Sequence, residues 1–210
     1  MSDKFKNRYR IASARLQKWN YGWNAPYFVT ICAKDRTHDF GNIADGKMNL
    51  SAIGQLAYNI WMDIPHQFEY VRLGEFVVMP NHIHGIIIIE KLNDGDIGGV
   101  NGDGAVDGDA INRVSTFGSS FGSSLGSSVA SKCAGGITRG KNPMLCDNLS
   151  RIIRWYKGRV SFESHKINFG FGWQSRFHEH IIRNHKSHNR ISDYIIKNAE
   201  LWDDDQFNEK

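Results

Sequence analysis

The sequence contains few cysteines and no long apolar segment, and each absence argues against a class of protein. Its 210 residues include 3 cysteines, whose spacing matches neither a disulfide framework nor a metal-binding motif. We therefore expect free thiols and a cytoplasmic location. No stretch approaches the roughly 20 consecutive apolar residues of a membrane helix, and the polar, basic residues 1–10 run into no apolar signal segment. We expect neither a secretory signal nor a membrane partner.

What the sequence does contain is an ordinary globular composition with segregated charge. Hydrophobic residues make up 40% and aromatic residues 12%, which excludes disorder of the whole chain. The formal net charge is +4, and between Arg151 and Lys197 ten Lys or Arg residues face three acids. Aromatic residues are interleaved with these cations, a combination that suits a phosphate backbone and unstacked bases. A solvated, mildly basic surface explains the charge equally well. The candidate nucleic-acid contacts are Arg154, Lys157, Arg159, Arg176 and Arg183.

A Gly-, Ser- and Asp-rich segment at about residues 92–148 interrupts the chain. Within it, residues 117–128 form a four-residue repeat, FGSS-FGSS-LGSS. This composition buries too little apolar surface to offset its chain entropy, so we expect a flexible loop. Loops of this length are unusual inside a domain. We interpret residues 1–210 as one domain with an insertion that carries no chemistry of its own; an interaction segment is the alternative.

The remaining sequence predicts alternating strands and helices. Segments rich in β-branched and aromatic residues predict four strands, at residues 26–33, 75–79, 82–90 and 177–183. Helical periodicity predicts three helices, at residues 51–64, 150–165 and 187–198. Ser51 and Ser150 are the expected N-caps, and Asp45-Gly46 suggests a small hairpin within residues 40–50. This order predicts an α+β, ferredoxin-like (split βαβ) antiparallel sheet, with helices on one face and an extra C-terminal helix.

Two histidines, His82 and His84, project from the same face of a predicted strand because they are two residues apart. They lie at its start, beside the Pro80-Asn81 turn, where a site can be open to solvent. Paired imidazoles can hold one divalent cation, although a strand pair of histidines is more often structural. A metal needs a further ligand, and Asn198 on the last helix offers an oxygen atom.

A second histidine pair, His178 and His180, shares one face of a later strand, with Glu179 on the other. A second metal site is one interpretation. We favour a structural or DNA-contacting role, because neither a nucleophile nor a third ligand lies at a sequence spacing that would place it beside this pair.

Tyr194 lies four residues before Asn198, which places both side chains on one face of the last helix. A phenol with a pKa near 10 is a poor nucleophile, but it can attack phosphorus when a cation neutralises the scissile phosphate. The product is a phosphotyrosine bond to the DNA 5′ end, which conserves bond energy for rejoining. The alternative is a half-buried tyrosine that packs on the sheet.

Four short motifs follow one another along the chain, at residues 75–84 (EFVVMPNHIH), 173–174 (WQ), 177–184 (FHEHIIRN) and 191–198 (ISDYIIKN). Together they resemble the REP-associated tyrosine transposases, relatives of the single-tyrosine HUH transposases, over nearly all of the chain outside the insertion. The resemblance implies a metal held by His82 and His84, with the amide of Asn198 completing the site, and Tyr194 as the nucleophile. It also implies Mg²⁺ or Mn²⁺ as cofactor, no need for ATP, single-stranded or hairpin DNA as partner, and a monomer or homodimer.

Two features depart from the pattern of these transposases. Members usually carry proline after the asparagine, whereas Ala199 follows Asn198 here. The absence of proline allows the helix to continue towards Trp202. The Gly- and Ser-rich insertion is also atypical, but it follows the strand that bears the histidines, so we expect the site to survive it.

Three other functions remain compatible with parts of this pattern. A non-catalytic regulator that binds repeat hairpins needs the fold but has no reason to retain His82, His84 and Tyr194 together. An RNA-recognition sheet needs exposed aromatic residues on its central strands, where Ile86 and Ile88 occupy one face instead. A metal-dependent hydrolase needs the histidines but not the tyrosine.

Overall fold

A computed structural model of the chain describes residues 19–91, 147–205 and 207–208, together with the backbone of residues 4–5 and 8–9. The predicted insertion at residues 92–148 lies outside the described residues, except for its last two. In chain order the elements are β1 (Lys4–Phe5), β2 (Arg8–Tyr9), β3 (Ala25–Cys32), β4 (Gly41–Ala44), β5 (Lys47–Leu50), α1 (Ala52–Met62), α2 (Ile64–Gln67), β6 (Val71–Val78), β7 (His82–Ile89), α3 (Leu149–Ser164), β8 (His178–Ile181) and α4 (His185–Lys197).

The main sheet has four antiparallel strands in the order β6-β7-β3-β8. β3 and β6, which α1 connects, run parallel to each other with β7 inserted between them. This is the split βαβ arrangement, so the predicted α+β, ferredoxin-like fold is confirmed. Within the described residues no helix is long and apolar enough to cross a membrane.

Side-chain alternation along the strands separates two apolar layers. Tyr27, Val29 and Ile31 of β3 face α1 and α3 and join the larger core, which contains Trp61 and Tyr156. The opposite face of the sheet carries a smaller cluster of four buried isoleucines, which are Ile86, Ile182, Ile191 and Ile195. Two of them belong to α4, so this cluster holds α4 against the sheet. The central strand β7 is therefore buried on both faces, as its apolar sequence predicts.

Local signals in the sequence set most element boundaries. The Ser51 hydroxyl accepts a hydrogen bond from the Gly54 amide, which confirms the predicted cap of α1. Asp45 and Gly46 both have positive φ (52° and 67°), the conformation that a two-residue hairpin between β4 and β5 requires. The predicted Ser150 cap is wrong: α3 begins earlier because the Asn148 side chain accepts from the Arg151 amide.

The last helix ends before Ala199, the position at which the similar transposases usually have proline. α4 begins after Asn184, whose side chain accepts from the Ser187 amide, and it closes at Lys197. The continuation towards Trp202, which the absence of proline allows, does not occur. The chain instead turns after Asn198, and residues 202–204 form a short 3-10 turn. This turn directs the C-terminal residues back over the sheet face that α4 covers.

Candidate active site

His82 and His84 lie side by side on the sheet face that α4 covers. Their ring centroids are 4.4 Å apart, and the two residues pair in register with Cys32 and Thr30 of β3. The Nδ1 atom of His82 lies 2.8 Å from Oδ1 of Asn81, and Nδ1 of His84 lies 2.9 Å from Oγ1 of Thr30. Because each Nδ1 atom has a hydrogen-bond partner, the Nε2 atoms remain available to bind a metal ion or to contact another side chain.

The histidines are not open to solvent, because the C-terminal residues cover them. His82 is 0% and His84 2% exposed. The Phe207 ring lies 4.5 Å and the Trp202 ring 6.0 Å from the His82 ring. The Asn81 side chain donates a 2.8 Å hydrogen bond to the Phe207 carbonyl, which fixes this cover to the turn before β7.

Burial makes both imidazoles neutral bases. Removal from water lowers the pKa of His82 to about 2, with smaller contributions from His84 and Arg36. Burial likewise lowers the pKa of His84 to about 3, assisted by His178. Neutral imidazoles are the form that binds a metal ion, so no proton has to leave before one is bound.

Asp205 completes a group of three potential metal ligands that sequence reasoning missed. One ligand atom each from His82, His84 and Asp205 lies within 4.8 Å of the other two. Within the described part of the chain, this is the single group of at least three His, Cys, Asp or Glu side chains with that geometry. The sequence feature that could have indicated this ligand is the run of three aspartates at residues 203–205, which follows the last predicted helix.

Asn198, the candidate ligand from the sequence, lies next to this group. It is 1% exposed, and its Nδ2 atom donates a 3.3 Å hydrogen bond to Oδ2 of Asp205. Its Oδ1 atom and the Nε2 atom of His82 are both buried without a hydrogen-bond partner. Buried polar atoms are rarely left unpaired, and two imidazoles, a carboxylate and an amide oxygen are suitable donors for a divalent cation. These residues fit a metal ion.

Tyr194 brings its hydroxyl group to the same place. Its Oη atom is 3.1 Å from Nε2 of His84, and its ring makes an edge contact with Phe28 at 6.4 Å. The side chain is 38% exposed, so it borders both the buried histidines and solvent. Partial burial raises the pKa of the phenol, Asp205 raises it further, and a hydrogen bond from Asn198 opposes them. The phenol is protonated at neutral pH.

The five predicted nucleic-acid contacts do not form one surface. Arg154, Lys157 and Arg159 belong to α3, in the layer on the far side of the sheet from Tyr194. Lys157 donates to the carbonyls of Gln174 and Arg176, at 2.8 and 3.0 Å, and Arg159 pairs with Glu163 at 3.6 Å. Arg176 precedes β8, and Arg183 follows it and leads directly into α4.

The rival histidine pair lies on the edge strand β8. His178 and His180 are exposed and pair in register with Thr30 and Phe28, which puts them on the same sheet face as His84. Neither belongs to a group of three potential metal ligands among the residues that the structure describes. Trp173 packs against the larger core and donates from Nε1 to the Lys157 carbonyl at 3.0 Å.

The fold and the site together define a class: a split βαβ sheet on which a histidine pair meets a tyrosine from the C-terminal helix. No model of a known protein family matches the chain. An uncharacterized protein of Haemophilus influenzae strain Rd is 33% identical over 200 residues, covering 92% of this chain and 91% of that protein. The chain belongs to the same family as this Haemophilus influenzae protein.

A solved structure extends the comparison of the fold. The structure of a REP-associated tyrosine transposase bound to a REP hairpin aligns with a TM-score of 0.50 and 18% sequence identity. The alignment covers 91% of this chain and 74% of the transposase chain. The family to which the sequence motifs are similar therefore shares its fold with this chain.

Proposed function

We propose that the chain is a metal-dependent enzyme that nicks and joins single-stranded DNA through a covalent bond between Tyr194 and a DNA 5′ phosphate. The observation that carries this proposal is the contact between the Tyr194 hydroxyl and Nε2 of His84, beside a group of metal ligands. A tyrosine that served packing alone would not need its hydroxyl next to that group. Transposase-type processing of DNA is the activity that suits a tyrosine nucleophile beside a metal site.

His82, His84 and Asp205 would hold the cation, Mg²⁺ or Mn²⁺, and Asn198 is the candidate fourth ligand through its unpaired Oδ1. When bound, the ion supplies positive charge that neutralises the scissile phosphate. The protein residues orient the donors: Thr30 and Asn81 hold the two imidazoles by their Nδ1 atoms. Asn198 holds the carboxylate of Asp205 through its Nδ2 atom.

Tyr194 is the proposed catalytic nucleophile. Its phenolic oxygen bonds to phosphorus as the bond between phosphorus and the 3′ oxygen breaks, and the phenolic proton is balanced by protonation of the departing 3′ oxygen. The DNA is left with a free 3′ hydroxyl and a 5′ phosphate esterified to the protein. Attack of a 3′ hydroxyl on this phosphotyrosine reverses the exchange and joins the strand, so neither water nor ATP is consumed.

The proposed substrate is hairpin DNA with single-stranded flanks. The REP-associated tyrosine transposase that shares this fold is bound to a REP hairpin. The sequence motifs independently resemble that family. Tyr194 and the histidines come from one chain, which favours a monomer that carries a whole site. We expect the enzyme to act on DNA in the cytoplasm.

The test is adduct formation on labelled single-stranded DNA that contains a repeat hairpin, incubated with Mn²⁺ and separated on a denaturing gel. Wild-type protein is expected to give a shifted protein–DNA band. Tyr194→Phe keeps the ring but lacks the nucleophilic oxygen, so it should give no band while it binds the hairpin nearly as well. Tyr58→Phe, an exposed tyrosine on α1, is the matched control and should leave the band unchanged.

Two results would contradict the proposal. A covalent band that persists in Tyr194→Phe would move the nucleophile elsewhere. Tight hairpin binding by the wild type without any adduct, in Mg²⁺ or in Mn²⁺, would favour the non-catalytic hairpin-binding regulator instead.

A further inference from the structure

A groove lined by positive charge runs along the edge of the sheet where β8 meets the beginning of α4. Its volume is about 640 Å³, and Arg183, Lys186, Arg190 and His180 line it together with Asn184. We refer to it as the β8–α4 groove. Glu179 also borders it, but alternation along β8 turns its side chain to the face opposite His180.

Among the described residues, the cations of this groove have no carboxylate partner. Within residues 19–91, 147–205 and 207–208, the side chains of Arg183, Lys186 and Arg190 form no ion pair or hydrogen bond. α3 differs, because Arg159 pairs with Glu163 on the same helix. Unpaired cations in one concave surface attract a polyanion more strongly than cations that already face carboxylates.

Two further observations indicate excess positive charge here. Partial removal from water lowers the pKa of His180, and the neighbouring His178, Arg183 and Arg190 lower it further. The first turn of α4 contains no acidic residue, so the positive end of the helix dipole is added to these cations.

The groove lies close to the proposed nucleophile. Arg190 precedes Tyr194 by four residues on α4, which is about one helical turn or roughly 6 Å along the helix. On the sheet, His180 pairs in register with Phe28. The Phe28 ring stacks on His84 at 5.3 Å and meets Tyr194 edge-on at 6.4 Å. Through Arg190 on the helix and Phe28 on the sheet, the residues that line the groove are therefore linked to those that surround the Tyr194 ring.

We propose that the β8–α4 groove binds the phosphate backbone of the single-stranded DNA segment adjoining the bond that Tyr194 attacks. This inference rests on the proposed function and adds the path of the substrate. It also separates the nucleic-acid contacts that the sequence predicts into two sets. Arg183 lines the proposed DNA path, whereas Arg154 and Arg159 lie in the layer on the other side of the sheet.

Salt dependence of binding to a single-stranded oligonucleotide, measured by fluorescence anisotropy in EDTA, tests the groove without catalysis. The slope of log K against log salt changes by about 0.7 for each phosphate contact to a single strand. Lys186→Gln and Arg190→Gln should each lower the slope by about 0.7, and the double variant Arg183→Gln/Arg190→Gln by about 1.4. Lys47→Gln, an exposed lysine of β5, is the control and should leave the slope unchanged.

A second measurement locates the contact on the DNA. Single phosphates of the oligonucleotide are replaced in turn by neutral methylphosphonates. At the phosphate that Arg190 contacts, the replacement should weaken binding to the wild type but not to Arg190→Gln. Unchanged slopes in all groove variants, or a loss of slope in Arg154→Gln alone, would overturn the groove as the path.

These results are distinguishable from failure of the proposed function. A wild type that forms the covalent adduct while the groove variants keep their slopes retains the function and refutes the groove. A wild type that forms no adduct, with lower slopes in the groove variants, retains the groove as a DNA site and refutes the chemistry. A wild type that does not bind single-stranded DNA refutes the groove, whatever the adduct assay gives.

Discussion

Replacement of Thr30 by valine tests whether His84 is held in place to bind a metal. Thr30 is 5% exposed, and its Oγ1 atom lies 2.9 Å from Nδ1 of His84. If Nε2 binds a cation, Nδ1 carries the proton and donates it to the Thr30 oxygen. Valine has nearly the shape of threonine but no oxygen, so Thr30→Val leaves this N–H group buried without an acceptor.

The expected changes in metal affinity and in the free energy of unfolding follow from the loss of this hydrogen-bond acceptor. Loss of a partner that orients a metal-binding histidine typically lowers metal affinity about 10- to 100-fold, which corresponds to about 1.4 to 2.7 kcal/mol. A buried polar group that loses its partner also costs about 1 to 3 kcal/mol in the free energy of unfolding. Thr30→Val should therefore bind Mn²⁺ at least about tenfold more weakly and unfold at lower denaturant concentration.

Calorimetric titration of metal-free protein with Mn²⁺, paired with urea unfolding, measures both effects. Thr30→Ser keeps the hydroxyl group and is the control, which should retain most of the affinity. If folded Thr30→Val binds Mn²⁺ within about twofold of the wild type, the hydrogen bond does not orient a ligand, and the reasoning about His84 is refuted.

Two other changes probe the same site. Asp205→Asn should lower Mn²⁺ affinity by about tenfold or more, whereas Asp203→Asn, an exposed neighbour, should not; equal affinity in both variants would remove Asp205 from the ligands. In the metal-free protein, burial keeps the pKa values of His82 and His84 at about 2 and 3, whereas in the unfolded chain both histidines are protonated near pH 6.5. The free energy of unfolding is therefore highest above pH 6.5 and decreases as the pH falls, because the unfolded chain binds more protons. Each histidine should contribute a loss of about 1.4 kcal/mol per pH unit below 6.5, measured by urea unfolding between pH 7.5 and 5.5, and the double variant His82→Gln/His84→Gln should lose this dependence.

Local chemistry predicted most of the fold. Short-range signals act within a few residues, so the Ser51 cap and the Asp45-Gly46 turn were correctly assigned from the sequence. The cap of α3 was not, because Asn148 and Ser150 are both good capping residues and the choice depends on which backbone amide lies within reach. The two ends of α4 differed from prediction by one or two residues for the same reason.

The candidate site was predicted in part. Residue spacing placed His82 beside His84 and Tyr194 on one helix face with Asn198, since strand and helix periods are fixed by the backbone. The approach of α4 to β7 was expected from resemblance rather than from spacing. Asp205 was overlooked because it lies after the last helix, where the direction of the chain depends on how Trp202 and Phe207 pack.

The sequence by itself determined the elements of this protein, their order and the pairs of side chains that share a face, because these depend on backbone geometry and neighbouring residues. Tertiary structure alone decided that the histidines are buried, that a carboxylate from the C-terminal segment joins them, and that the basic residues divide between two layers. Each of these outcomes depends on contacts between residues far apart in sequence. Such contacts form only when the apolar faces of β3, β7 and α4 are buried together, and no local pattern records them.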